Sequence, residues 1–464
     1  MKKNDSTAPL SLPVFRQISA IAAQQDVPAF VVGGYVRDFY LGRPSTDIDV
    51  VVVGSGIGLA EELGRELRTK VSVYKTFGTA ALRTRGVEVE FVGARKESYV
   101  RDSRKPQVEA GTLEDDQRRR DFTINAMAWS LAEEDFGRLV DPFDGMRDLH
   151  EGIIRTPCDP DVTFSDDPLR MMRAVRFASQ LNFRLFPETF EAIVRNRERI
   201  GIVSRERIAV ELNKIVLSPV PSVGFDLLER TGLLELIFPE MQRLKGIERR
   251  GQHAHKDNFY HTLKVLDNVA AVSDDLWLRW AAILHDIGKP FVWDSSESLS
   301  YDRFDDHAAV SAKLAGKILR DLKYDNATRK DVVELIAHHN DILLPDPVNV
   351  RRALARLGEV QTRRLVQVKV ADLIAHDLAG EREKILALFA EISDVIDEVV
   401  ARGDCTSVKA LAIGGQDMMA LGLSGRSIGQ MLNAALELVL EKPEMNTRET
   451  LLNWVRGNLE NCQK

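Results

Sequence analysis

Cysteine is scarce in this chain: Cys158, Cys405 and Cys462 are its only three. Few, odd in number and far apart, they fit neither a disulfide framework nor a cysteine-based zinc motif, and they point to a reducing cytoplasm. Long apolar runs are also lacking. The stretch around Val50 to Val53 is interrupted by glycine or charge well short of the ~18 residues a spanning helix needs, so no membrane segment is expected. Residues 1–10 are polar and lack the apolar core of a secretory signal. Nor is there an excess of basic charge, since 63 Lys and Arg stand against 70 Asp and Glu, a net charge of -7. That balance excludes a protein coated in positive charge, the usual footprint of a non-specific nucleic-acid binder, and leaves any RNA to a confined basic track.

What is present divides into unlike parts. At 464 residues the chain has room for about three domains. Its first ~155 residues alternate apolar β-type runs with helical ones. Strands are expected at Ala29–Val32, Ile48–Val53, Val71–Tyr74, Ala80–Thr84 and Val87–Val92, with helices at Tyr35–Leu41 and Leu59–Arg68. From about Thr163 the β signal fades, and Leu169–Leu181, Glu188–Arg195 and Glu206–Leu217 read as amphipathic helices. The expected class is α+β: a head with a small mixed sheet, followed by an all-α body. Eight of the nine histidines fall between His253 and His376, which marks a further segment. Ser295 to Asp306 reads as a loop and Arg402 to Ser407 as a joint before a last helical stretch.

In Thr46-Asp47-Ile48-Asp49-Val50-Val51-Val52 two acids open a strand at i and i+2. Period-two alternation puts both carboxylates on one face, where they repel unless a cation lies between them. Mg²⁺ held by two carboxylates and substrate phosphates is the common form of such a site. Just upstream, Val32-Gly33-Gly34-Tyr35-Val36-Arg37 sets two glycines between strand and helix, so that turn amides and Arg37 could hold a triphosphate. Together these segments resemble the polymerase-β-type nucleotidyltransferases. Glu90, on Val87-Glu88-Val89-Glu90-Phe91, is a third acid; Glu88 shares its face, and the resemblance rather than the spacing selects Glu90. Gly54-Ser55-Gly56-Ile57-Gly58 imitates a dinucleotide-binding fingerprint, but Leu59 occupies the third required glycine and no acid follows at the expected distance.

Arg119-Arg120-Asp121-Phe122-Thr123-Ile124-Asn125-Ala126 reads as a donor and an acceptor at a helix start, with Asp121 a possible N-cap. In Asp166-Asp167-Pro168-Leu169-Arg170, Asp167 and Arg170 are three apart on a helix whose start Pro168 sets, so both can project together. A carboxylate accepts from the exocyclic amino group of cytosine or adenine, and a guanidinium donates to the neighbouring ring nitrogen. Uracil and guanine present the reverse order and would leave both groups facing like partners, a mismatch able to support discrimination of ~10⁴.

Gly-Gly-x-Val-Arg-Asp, Asp-x-Asp, Arg-Arg-Asp-Phe-Thr-Ile-Asn-Ala-Met-Ala, Asp144-Gly145 with Asp148-Leu149, Asp-Pro-Leu-Arg-Met-x-Arg-Ala-x-Arg-Phe and Glu206-Arg207-Ile208 to Glu211-Leu212 occur in this order. Over roughly residues 25–245 the chain resembles the bacterial class II tRNA nucleotidyltransferases. The resemblance implies that Asp47 and Asp49 hold Mg²⁺ with Glu90 beside them, and that Gly33, Gly34 and Arg37 meet the triphosphate. It further implies that Arg120 and Asp121 recognise the ribose, that Asp167 and Arg170 template the base, and that Arg173 and Arg176 help to hold the nucleotide. The substrates would be CTP, ATP and tRNA, and the reaction CCA addition. Asp166 stands where the family has glutamate.

His261, the pair His285-Asp286, His307, the pair His338-His339 and Asp372 follow in the second half. Imidazoles and carboxylates spread over several helices suit a transition-metal or Mg²⁺/Mn²⁺ site that activates water. The set resembles the HD phosphohydrolase superfamily, which implies His261, His285, Asp286 and Asp372 as ligands, with His307 and His339 as further ones. The end of the chain, from Ile413, is similar to the tail of the same nucleotidyltransferases, where it helps to hold tRNA. The expected domains are a nucleotidyltransferase head (1–155), a helical neck for base selection (156–245), an HD unit (246–400) and a tRNA-binding tail (401–464). Competing expectations are a poly(A) polymerase, a partial CC- or A-adding enzyme, and an HD phosphohydrolase whose head only binds RNA. Thr76-Phe77-Gly78-Thr79-Ala80, in place of an Arg-Arg-Phe-Arg type segment, separates the chain from the poly(A) polymerases.

Overall fold

The computed structural model describes residues 10–98, 107–246, 257–292, 306–376 and 380–462. The chain divides into two compact units, one ending at Pro239 and the other beginning at Glu240.

In the first unit, helix α1 (Pro13–Gln24) leads into β1 (Ala29–Val32), α2 (Gly34–Tyr40), β2 (Asp47–Val52) and α3 (Gly56–Leu67). Then come β3 (Val71–Tyr74), β4 (Thr79–Thr84), β5 (Val87–Gly93), β6 (Arg95–Ser98), β7 (Gln107–Ala110), α4 (Leu113–Arg118), β8 (Ala128–Ser130) and β9 (Leu139–Val140). Seven of these strands form one mixed sheet in the order β3-β4-β5-β2-β1-β8-β9. β2 runs parallel to β5 and antiparallel to β1. The central strand β2 buries Ile48, Val50 and Val52 on one face, an apolar stripe that anchors it. The opposite periodicity carries Asp47 and Asp49 into solvent. The expected head is present, with a larger sheet: β8 and β9 extend it beyond the five expected strands.

The dinucleotide-like glycines have a packing role. Ser55 caps α3 by accepting from the Gly58 amide, and a Cβ on Gly56 would come within 2.8 Å of the Val92 carbonyl carbon. Only glycine allows α3 to start so close to β5.

The helical part of this unit comprises α5 (Gly145–Glu151), the two-residue pair β10 (Ile153–Ile154) and β11 (Arg184–Leu185), α6 (Pro160–Asp166) and α7 (Leu169–Leu181). It continues with α8 (Pro187–Asn196), α9 (Arg205–Val216), α10 (Pro221–Arg230) and α11 (Leu233–Ile237). α7 packs on α9 and α10 through a buried face that includes Met171, Met172, Val175 and Ala178.

α12 (Pro239–Gln242) begins at the boundary, and the described elements of the second unit are all helices: α13 (Asn258–Ala270), α14 (Leu276–Leu284), α15 (Lys289–Val292), α16 (His307–Asp321) and α17 (Asn326–Ala337). These are followed by α18 (Pro347–Ala375), α19 (Arg382–Arg402), α20 (Gly415–Ala420), α21 (Arg426–Glu441) and α22 (Arg448–Cys462). α18 is broken at Gly358, whose φ of 74° only glycine adopts without strain. α19 ends at Arg402 on a left-handed Gly403, at the joint expected there. The expected loop Ser295 to Asp306 lies outside the described residues except for Asp306. The tail has its own core, with Leu411, Met418, Ala435, Val439, Leu451 and Val455 buried together. No described helix is long and apolar enough to cross a membrane.

Candidate functional site

The head site grows from the register of two strands. β2 pairs in parallel with β5 so that Asp47 stands opposite Glu88 and Asp49 opposite Glu90. Glu88 is engaged by Arg83, its neighbour on β4, at 2.7 Å. Glu90 instead has Ala81 as its β4 neighbour and Asp49 on the other side. The Glu90 carboxyl is raised above the usual range by burial and then by the charges of Asp49 and Glu88. Asp49 is raised too, by crowding among protein atoms and by Asp47 and Asp116, with Arg120 opposing. Carboxylates whose proximity costs charge in this way fit a divalent cation, which reverses that cost.

Gly33 makes the approach possible. Its φ is 77°, and a Cβ there would lie 3.0 Å from Arg120 Nη1 and 3.4 Å from Asp49 Oδ2. Arg37, on α2, is buried. Its Nε and Nη2 donate to Asp38, and Nη1 donates to Asn125 Oδ1 at 2.6 Å.

Asp121 does not cap an α-helix as the sequence suggests. It follows α4, is buried, and accepts from the Phe122 amide, from Asn125 Nδ2 at 3.0 Å and from Arg173 Nε at 2.7 Å. Burial alone would raise its carboxyl, but Arg173 and Asn125 bring it down to about 2. The chain Arg37, Asn125, Asp121, Arg173 thus joins α2, the turn after α4 and α7. The Phe177 ring lies under three guanidiniums, those of Arg37, Arg173 and Arg176, at 5.0, 5.5 and 4.1 Å from its centroid. Arg176 is buried in an ion pair with Glu211 at 2.9 Å.

Asp167 also departs from its expected position. It closes α6 in an extended conformation, one residue before Pro168, the N-cap of α7, so only Arg170 lies on the helix. Asp167 Oδ2 is 3.2 Å from Arg207 of α9, and Arg170 Nη2 donates to the Arg119 carbonyl at 2.6 Å.

Sequence reasoning missed Asp116, Asn125 and Arg207. Asp116 is fully buried on α4 and pairs with both Arg119 and Arg120. Its signal was present as an acid three and four residues before the arginine pair, a helical spacing.

In the second unit, α13, α14 and α18 bring His261 Nε2 to 2.9 Å from Asp372 Oδ1, which is 3.6 Å from His285 Nε2. His285 Nε2 is also 3.3 Å from Asp286 Oδ2, and Asp286 Oδ1 is 3.3 Å from His307 Nε2 and 3.8 Å from His339 Nε2. His376, absent from the expected set, stacks on His261 with centroids 4.4 Å apart and lies 3.6 Å from Asp372. Its i+4 position after Asp372 was the available clue. Burial lowers the His285 imidazolium, but Asp286 and Asp372 outweigh it and raise it to about 10. His285 Nε2 is buried without a hydrogen-bond partner of acceptable geometry. A buried nitrogen in a negative field suits a metal ligand. Arg351, Arg352, Arg356, Arg363 and Arg364 of α18 are paired with Asp404, Glu437 and Glu441, Asp341, Glu359 and Asp397, and Asp275. Arg351 and Arg364 are largely buried in these pairs, whereas those of Arg352, Arg356 and Arg363 are exposed.

A mixed sheet with clustered acids on its central strands, followed by a helical segment that supplies arginines to the same network, defines a nucleotidyltransferase. Comparison with known proteins agrees. Residues 29–155 match the family described as "Poly A polymerase head domain", residues 182–244 "Probable RNA and SrmB- binding site of polymerase A", and residues 258–377 "HD domain". The chain is 33% identical to the A-adding tRNA nucleotidyltransferase of Deinococcus radiodurans, over 70% of this chain and 75% of that protein. It is 30% identical to the multifunctional CCA protein of Polaromonas naphthalenivorans, over 88% and 96%. With the A-adding tRNA nucleotidyltransferase of Aquifex aeolicus it shares 43% identity over 41% of its length but spans only 23% of that protein. Among solved structures, the Bacillus stearothermophilus CCA-adding enzyme in complex with CTP superposes with a TM-score of 0.69 at 25% identity, covering 97% of this chain and 99% of that one. The chain belongs to the tRNA nucleotidyltransferase family, and it is an enzyme.

Proposed function

We propose that this enzyme adds C, C and A to the 3′ end of tRNA, taking CTP and ATP and releasing pyrophosphate without a covalent enzyme intermediate. The observation that carries the proposal is the register of β2 and β5, which sets Asp49 beside Glu90 with Asp47 on the same face. Mg²⁺ bound to Asp47 and Asp49 would supply activation of the attacking hydroxyl and charge neutralisation at the triphosphate. The terminal 3′-oxygen of the RNA forms the bond to the α-phosphorus as the bond to pyrophosphate breaks. Gly33, Gly34 and Arg37 line the phosphate end, Arg120 and Asp121 meet the ribose, and Arg173 holds Asp121 ionised and in place. Arg176 acts through Phe177 and Glu211, since its guanidinium is spent on them.

Asp167 and Arg170 select the base. Each is already engaged, by Arg207 and by the Arg119 carbonyl, so nucleotide binding exchanges those contacts for the Watson–Crick edge of C or A. Residues 1–155 would then be the catalytic head, 156–245 the selecting neck, 246–400 an HD metal unit with phosphohydrolase-type ligands, and 401–464 a tail that holds tRNA. His261, His285, Asp286 and Asp372 would hold the HD metal, which would supply a water nucleophile for phosphoester hydrolysis.

A second reading, addition of the terminal A alone, is favoured by two relatives that are A-adding enzymes. One experiment separates them: the purified protein receives tRNA ending before CCA or after CC, with Mg²⁺ and each nucleotide singly and mixed. Two C and one A on the shorter acceptor are expected. A on the CC-ended acceptor only would establish the second reading, and long A tracts would refute both.

A further inference from the structure

The acid-bearing face of the head sheet does not stop at β2 and β5. The register continues it from Asp49 to Glu90, from Glu90 to Ala81 of β4, and from Ala81 to Ser72 of β3. Two residues further along the strands, Val92 stands opposite Thr79 and Thr79 opposite Tyr74. With neighbouring strands ~4.8 Å apart, Ser72 lies ~14 Å across the sheet from Asp49, room for an extended chain to cross. Small side chains, Ala81 and Ser72, make the floor beyond Glu90. Tyr74 stands at its rim with 52% of its surface exposed.

The same strands carry a local excess of positive charge. Residues 67–87 contain no acid, yet they hold Arg68, Lys70, Lys75, Arg83 and Arg85, all exposed, in a chain whose net charge is -7. At one end Val71 pairs with Leu82, and Thr69 Oγ1 donates to the Arg83 carbonyl at 3.1 Å. Lys70, Arg83 and Arg85 of the β4–β5 turn therefore gather at that end of the floor, while Tyr74 and Lys75 close the other. Arg83 meets Glu88 in an ion pair, but its side chain stays 83% exposed, so a phosphate can replace the contact at little cost. β3 is the edge strand and only four residues long, and the lysines at its two ends disfavour pairing with a strand of another protein. An exposed ring beside cations on an open floor suits an unpaired nucleic-acid strand instead, with a base on the ring and phosphates on the cations.

The direction of approach follows from the nucleotide side. Gly33 and Arg37 adjoin β1, and Arg120 lies against Gly33, so the residues assigned to triphosphate and ribose sit on the β1 side of β2. Attacking and leaving oxygens lie roughly in line through the α-phosphorus. A 3′-hydroxyl then reaches Asp49 from the β5 side, across the floor. Resting on the tRNA-extension reading above, we propose that the β3–β4 face is the track for the unpaired 3′ end of the acceptor RNA. Tyr74 stacks on one base, and Lys70, Arg83 and Arg85 hold the backbone.

The test uses the full-length protein with whichever acceptor the wild type extends, tRNA ending before CCA or after CC. KM is measured separately for tRNA and for the nucleotide, and tRNA affinity is measured between about 50 and 200 mM salt. Tyr74→Ala is expected to raise KM for tRNA about tenfold, the scale of one lost base–aromatic stack, and Tyr74→Phe to keep the wild-type value. Lys70→Gln combined with Arg85→Gln is expected to lower the slope of log affinity against log salt by about 1.4, the counterion release of two phosphate contacts on a single strand. KM for the nucleotide should not change. A misfolded sheet would displace Glu90 and lower kcat, so a rise confined to KM for tRNA does not come from misfolding. A wild-type KM for tRNA in Tyr74→Ala, an unchanged salt slope in the double variant, or an equal rise in KM for the nucleotide overturns the track and leaves the tRNA-extension reading standing. No extension of either acceptor by the wild type overturns both.

Discussion

Asp49 and Glu90 stand opposite each other on the parallel strands β2 and β5, while the next acid on each strand's shared face, Asp47, stands opposite Glu88. Glu88 is tied to Arg83 in an exposed ion pair. Asp49→Asn should therefore reduce nucleotide addition by roughly 10³-fold, the scale of losing metal-supported charge stabilisation. Glu90→Gln should fall between that and wild type, and Glu88→Gln should stay within about 3-fold, since an exposed pair contributes little. Single-turnover extension of tRNA measures all three, and equal loss in the Glu88 and Glu90 variants would refute the distinction.

Asp121 gives a pH dependence with a definite sign. Its carboxyl is held at about 2 in the folded protein against an ordinary 3.8, so the folded state prefers the ionised form. That preference stabilises the fold fully above pH ~4 and is lost as pH falls toward ~2, a contribution of about 2 kcal/mol. Urea midpoints measured from pH 6 downward should fall more steeply for the wild type than for Asp121→Asn. Parallel curves would count against the assignment.

Asp116 is buried between Arg119 and Arg120, whose side chains keep some solvent contact. Asp116→Asn removes the shared counter-charge and should cost about 2 kcal/mol, below the usual penalty for breaking a fully buried pair. It should also raise KM for the nucleotide, because Arg120 loses its anchor beside Asp49. An unchanged KM with normal stability would show that Arg120 is placed by other contacts.

Gly33→Ala places a methyl group 3.0 Å from Arg120 at a φ of 77°. The strain is on the order of 1–2 kcal/mol, small against the total, but it falls between a carboxylate and a guanidinium of the proposed active site. The melting temperature should drop by only a few degrees while kcat falls at least tenfold. A variant with full kcat would show that the turn tolerates a side chain.

The two units should fail independently. Asp286→Asn should leave addition of nucleotides intact and lower metal content in the second unit, whereas Asp49→Asn should do the reverse. Loss of both properties in either variant would contradict separate sites.

The sequence by itself determined the class of fold, the acids of β2 and the order of the motifs. These are written in local patterns: period-two alternation and a double glycine after a strand. Tertiary structure decided which of two equivalent acids joins Asp49, because the β4–β5 register gives Arg83 to Glu88 and a small alanine to Glu90. It also decided that Asp121 is a buried anion bound to Arg173 from 52 residues away, that Asp167 precedes the helix bearing Arg170, and that His376 stacks on His261 beside Asp372. Local spacing fixes what a residue can reach along its own element. Which partner it meets depends on elements brought together across the chain, and only packing sets that.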